Sequence, residues 1–164
     1  MSSPSHVQRE IGQALATELS AYSFAGAITA VDAVYRRRAD YQLEDLGGLK
    51  VSVVPGPVGV GPTGDVPQAP RGMDFMALTY GVVVAKHVGS ESDIEACEDL
   101  MQAIMDAIRS DHLDLGEGVD WVDFGQPVPF DMDSLEDRNV FLSQVEVTYM
   151  VPVQKLPPPT APGP

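Results

Sequence analysis

Gly59-Val-Gly61-Pro-Thr-Gly64 matches the G-x-G-x-x-G spacing of a dinucleotide-binding turn and follows a predicted strand. That chemistry needs a helix N-terminus aimed at the pyrophosphate. Pro62, Pro67 and Pro70 prevent a helix from starting and continuing there. Three glycines also arise easily in a stretch this rich in Gly and Pro. No G-K-[ST] follows, which excludes a P-loop.

Asp111, Asp114, Glu117, Asp120 and Asp123 recur at every third residue, with Asp131-Met-Asp133 beyond them. The chemistry to test is calcium binding. An EF-hand loop needs oxygen ligands at alternating positions and then a glycine. Counting from Asp131, the third ligand position holds Leu135 and the glycine position holds Glu136. Counting from Asp111, the second ligand position holds Leu113. An irregular carboxylate site stays open, and a solvated acidic face is the plainer reading.

Cys97 lies among Glu95, Glu98 and Asp99, which oppose a thiolate. It reads as a small core hydrophobe. His6, His87 and His112 are far apart and fit no H-E-x-x-H spacing. There is no G-x-S-x-G elbow. No pair of carboxylates is fixed across a cleft by the sequence, so no active site, metal or cofactor is expected. The one basic cluster is Arg36-Arg37-Arg38. It reads either as a contact to an acidic face on a neighbouring subunit or as a solvated strand end.

The elements that carry these residues can be read from periodicity. Val7, Ile11, Leu15 and Leu19 recur every fourth residue and predict a helix over 5–21, with Ser5 and Gln8 as a capping box. Strands are predicted at 27–36, 49–54 and 75–88. Residues 55–72 hold five Pro and five Gly and predict a long loop. Ile94, Cys97, Met101, Ile104 and Ile108 make one apolar stripe of a helix over 92–109, capped by Ser92 and Glu95. Residues 110–137 read as loop, apart from a short apolar piece at 119–124. From 140 to 151, Phe141, Val145, Val147, Tyr149 and Val151 alternate with mostly polar residues, the mark of a sheet with one buried face. A single domain is expected over 1–153, followed by a disordered proline-rich tail at 154–164. The fold class is α/β (α+β): a mainly antiparallel sheet of four to five strands, with two main helices on one face.

Charge narrows the function further. The 164 residues carry a net charge of −14. Residues 91–137 hold fifteen acids and a single base, Arg109, and so contain the whole excess. Such a surface repels phosphate backbones and anionic lipid, which argues against sequence-specific DNA binding and membrane binding. The N-terminal residues have neither the basic start nor the apolar run of a signal peptide, and no stretch is long enough to span a bilayer.

One arrangement is familiar as a whole. A first helix leads to a strand ending in Val34-Tyr-Arg-Arg-Arg38. Leu46-Gly-Gly-Leu49 then precedes Val51-Ser-Val-Val-Pro55. A loop ends in Arg71, and strand 80–86, helix 94–108 and the strand Phe141-Leu-Ser-Gln-Val-Glu-Val-Thr-Tyr149 follow. Over residues 5–153 this resembles the tail terminator (tail completion) proteins of long-tailed phages and related tail systems.

The resemblance implies a small non-catalytic structural subunit. Six copies would form a ring that stops tube polymerisation and meets the head-tail connector, with DNA passing through unbound. Implied partners are other copies, the tail tube protein and the connector. The implied place is the tail or neck of a virion assembled in the host cytoplasm. Within that picture Arg36, Arg37, Arg38 and Arg71 are the candidate subunit interface. Asp111, Asp114, Glu117, Asp131, Asp133, Glu136 and Asp137 are the candidate acidic lumen or partner face. Three other readings stay open: another neck or connector protein, a small hydrolase or nucleotide-binding enzyme, and an acidic module that binds a basic partner. The face that meets the tube, a pocket with converging polar groups, and a stable monomer would respectively mark them.

Overall fold

The computed structural model describes residues 4–38, 41–60, 73–110, 113–116, 118–128 and 131–154. Three helices and five strands follow the order α1 (Pro4–Ala21), β1 (Ala33–Tyr35), β2 (Lys50–Val60), β3 (Met73–His87), α2 (Glu91–Arg109), β4 (Asp120–Val128), α3 (Met132–Arg138) and β5 (Val140–Gln154). A 3-10 turn, Leu43–Gly47, sits between β1 and β2. The strands form one sheet in the order β1-β2-β3-β5-β4. Only β1 and β2 run parallel, and the other pairs are antiparallel. The expected class therefore holds: a mostly antiparallel sheet with helices.

The period-two pattern of β5 decides which face is buried. β3 and β5 pair along their full length, from Met73↔Gln154 to His87↔Val140. Met76, Leu78, Tyr80, Val82 and Val84 stand opposite Val151, Tyr149, Val147, Val145 and Ser143, and all point to one face. Ile11, Leu15, Ala16 and Leu19 of α1 join Cys97, Leu100, Met101, Ile104, Ala107 and Ile108 of α2 in the same core. The opposite face carries Leu46, Ala85 and Val140 under the 3-10 turn at one end. Its middle carries polar groups, with Thr79 and Thr148 hydrogen-bonded at 3.0 Å and Gln144 and Glu146 half-exposed.

Several boundaries differ from the sequence reading, each for a physical reason. Pro55 to Val60 were expected in a loop, yet they belong to β2. β1 pairs only with Val51, Ser52 and Val53, so β2 is an edge strand beyond that point. Proline costs no ladder hydrogen bond on an edge, and a register shift between Pro55 and Val58 takes up the irregularity. The rest of the expected loop, 61–72, lies outside the described residues. The first strand was expected over 27–36 but spans Ala33–Tyr35, while Val31 enters the core without a ladder. β5 runs on to Gln154, past the expected end at 151.

Residues 120–128 form β4 rather than a short apolar piece in a loop, and 132–138 form α3. α1 begins at Pro4, one residue before Ser5. α2 is capped by Ser90, not Ser92: the Ser90 hydroxyl accepts from the Asp93 N–H, and the Asp93 carboxylate accepts from the Gly89 N–H at 3.0 Å. That hydrogen bond holds the Asp93 carboxyl below its ordinary pKa. Replacing Ser90 with alanine should cost about 0.5–1 kcal/mol in urea unfolding, and Ser92→Ala much less. No described helix is long and apolar enough to cross a membrane.

Candidate functional site

The residues singled out by type and spacing fall into three groups. Gly59 and Val60, the first two residues of the Gly59–Gly64 motif, close β2, and its remainder lies outside the described residues. Cys97 is fully buried on α2. Burial pushes its thiol up, Lys86 opposes that more weakly, and Asp93 adds to it. A thiol reagent should label Cys97 only after denaturation. Labelling of the folded chain at the denatured rate would contradict this placement. Among the described residues, no three His, Cys, Asp or Glu side chains gather as a metal site would require.

The arginines sit at one edge of the sheet. β1 is the terminal strand, and Arg36, Arg37 and Arg38 continue from it with exposed side chains. The Arg36 N–H still donates to the Val53 carbonyl at 2.9 Å, which holds the first arginine against β2. Its guanidinium lies over the Tyr41 ring, 5.8 Å from the centroid. Tyr41 is fixed in turn by a hydrogen bond to Ser52. Arg37 and Arg9 both act electrostatically on Tyr35, whose hydroxyl is nevertheless raised by burial. No carboxylate lies in ion-pair range of Arg36, Arg37 or Arg38 among the described residues. Arg71 lies outside them.

The acidic candidates divide between two elements. Asp114 lies on the connection from α2 to β4, where its N–H meets Glu18 of α1 at 3.3 Å and its carboxylate accepts from Gly116. Asp131, Asp133, Glu136 and Asp137 belong to α3 and its cap. The Asp131 carboxylate accepts from the Asp133 N–H at 3.2 Å and from the Ser134 hydroxyl at 2.6 Å, so it caps this helix. Asp133, Glu136 and Asp137 are exposed. Asp111 and Glu117 lie outside the described residues.

Sequence reasoning passed over two acids, Asp120 and Asp123, as members of this edge. Both are exposed on β4, the other terminal strand. The Asp131 N–H donates to Leu142 of β5 at 2.9 Å, so Asp131 continues the β4 side of the sheet. A shallow cavity between α2 and α3 is lined by His87, Gly89, Ser90, Glu91, Leu135 and Asn139. What the chain offers is two charged edges on a rigid sheet.

A solved structure shares this architecture. Over 95% of its length the chain aligns with the sheath/tube terminator of an extracellular contractile injection system, PVC, in its extended state, with a TM-score of 0.51 and 14% identity. The chain has a terminator-like fold. It spans 59% of the length of that terminator. No protein-family model matches it. No curated protein matches it either.

Proposed function

We propose that this chain is a ring-forming tail terminator. Six copies cap the end of a tail tube and join it to the head-tail connector, with DNA passing through the ring. The supporting observation is the terminator-like fold across nearly the whole chain. The physical design agrees with it. The chain places its free charge on exposed edges and keeps its one thiol buried, which suits contact between chains better than turnover of a substrate.

In this reading residues 1–153 act as one domain in the tail of the particle, with the proline-rich residues after them as an appendage. Arg36, Arg37, Arg38 and Arg71 contact a neighbouring subunit. The acids from Asp111 to Asp137 serve as a lumen or a partner face, and like charge keeps passing DNA from sticking.

Polymerising tail-tube subunits in the presence of the full chain tests the role. Short tubes, each ending in a ring of added mass, are expected. Tubes that grow to the same length with and without the chain, and whose ends stay bare, would refute it.

A further inference from the structure

The two edges of the sheet carry opposite charge. From Ala33 to Arg38 there are three arginines and no acid. From Asp120 to Arg138, the end of α3, there are six acids and one arginine. The first segment is β1 with the three residues that follow it, the second runs from β4 into α3, and β1 and β4 are the two ends of the strand order. Three strands separate them, so the two edges cannot meet within one copy. Among the described residues neither the three arginines nor the edge acids Asp120, Asp123, Asp131 and Asp133 have an ion-pair partner.

Part of each edge is also protected against strand addition. At β1 the N–H and carbonyl of Ala33 are both bound by the Ser20 hydroxyl of α1, at 2.9 and 3.3 Å. At β4 the Phe124 N–H is taken by the carboxylate of Asp123 at 2.9 Å, and register shifts interrupt the strand beside Trp121 and Gly125. Bulges, charges and occupied backbone groups are how sheet edges avoid pairing with other strands. A contact through side chains avoids these occupied backbone groups and irregularities. Each edge adds an exposed valine, Val34 at 41% and Val122 at 50% exposure.

We propose that the arginine edge at β1 of one copy docks on the acidic β4–α3 edge of a second copy, head to tail, through side chains. A two-fold contact through one edge alone would set like charge on like charge, arginines on arginines or acids on acids. A head-to-tail contact sets opposite charges together at each junction and repeats, and it forms a ring where the rotation closes. Arginine suits it, because its planar fork meets a carboxylate with two hydrogen bonds. The proposal rests on the ring reading above and names its contact.

The test is a charge swap on the full chain, read by mass measurement over a concentration series. One variant carries Arg36→Glu, Arg37→Glu and Arg38→Glu, and the other carries Asp120→Lys, Asp123→Lys and Asp133→Lys. All six positions are exposed, and unchanged melting curves confirm folding. Each variant alone should need a protein concentration higher by roughly tenfold or more to associate. An equimolar mixture should recover association, because one variant presents two acidic edges and the other two basic ones. Association of the natural chain should weaken as salt rises from ~0.05 to ~0.5 M. Undiminished association of either variant, no recovery on mixing, or a natural chain that stays monomeric at low salt would overturn the contact. The terminator role is read separately: tubes capped by a chain indifferent to the swap leave that role standing and remove this interface. Variants that obey the swap while tubes stay uncapped keep the interface and remove the role.

Discussion

Replacing Tyr80 with alanine should lower stability by about 3–5 kcal/mol, the range for deleting a large buried aromatic side chain. Tyr80 is fully buried in the middle of β3. Its hydroxyl donates to the Gln8 carbonyl of α1 at 2.6 Å, and its ring lies 6.3 Å from that of Tyr149 on β5. Gln8 in turn sends its side-chain amide to the Gly56 carbonyl of β2 at 2.8 Å. One side chain thus joins α1 to the centre of the sheet, next to the half of β2 that β1 does not cover. Burial pushes the Tyr80 hydroxyl far above its ordinary pKa, and the nearby Tyr35 and Tyr149 push it the same way. Tyr80→Phe keeps the ring and should cost only about 1 kcal/mol, the net worth of one hydrogen bond. Urea unfolding of the two variants separates packing from hydrogen bonding. Equal losses would show that the hydroxyl, not the ring, carries the effect.

Gly12→Val should cost about 3 kcal/mol, the upper range for overpacking a tight site. Gly12 lies in the interior of α1, where glycine is ordinarily unfavourable by about 1 kcal/mol relative to alanine. Here the missing side chain makes room. A Cβ at Gly12 would collide with Cε2 of Tyr35, and would lie 2.6 Å from Cδ2 of the same ring and 2.9 Å from Cε1 of Tyr80. Helix propensity and packing therefore oppose each other, and packing wins because the buried Tyr80 cannot move. Gly12→Ala should be destabilising as well, by roughly 1–2 kcal/mol, against the usual sign for an exposed helix. Tyr35 supplies the two closest contacts, so Tyr35→Ala should relieve much of the loss. The double variant should then be more stable than the sum of the single losses predicts. Additive losses in thermal unfolding would contradict this arrangement.

The central strands and α2 were legible because their patterns are long. Val145 to Val151 alternate with mostly polar residues, and Ile94 to Ile108 keep one stripe over four turns. β1 was overread because Ile28 and Val31 are apolar for packing, not for pairing, and only three residues reach the ladder. The extension of β2 through Pro55 and Pro57 could not be read locally. It depends on β1 being short enough to leave that edge open. α3 has seven residues and no buried one, so no apolar stripe announces it. Its ends did carry signs: Asp131 as the cap, and Asn139 in the left-handed region with φ 54°.

The arginines were visible as a cluster, and the acids as a block. Their placement on opposite edges was hidden, because β5 pairs with both β3 and β4 and so pushes β4 to the rim. A reader of the sequence sees Asp120 and Asp123 as part of a charge run. Only the strand order makes them an edge.

The account depends on copies of this chain closing into a ring, and imaging the purified full chain together with a native mass measurement tests that directly. At low salt it predicts six-fold particles with a central hole and a mass near 105 kDa, six times the 17.5 kDa of one chain. A homogeneous 17.5 kDa species, unchanged when tail-tube ends are supplied, would contradict it.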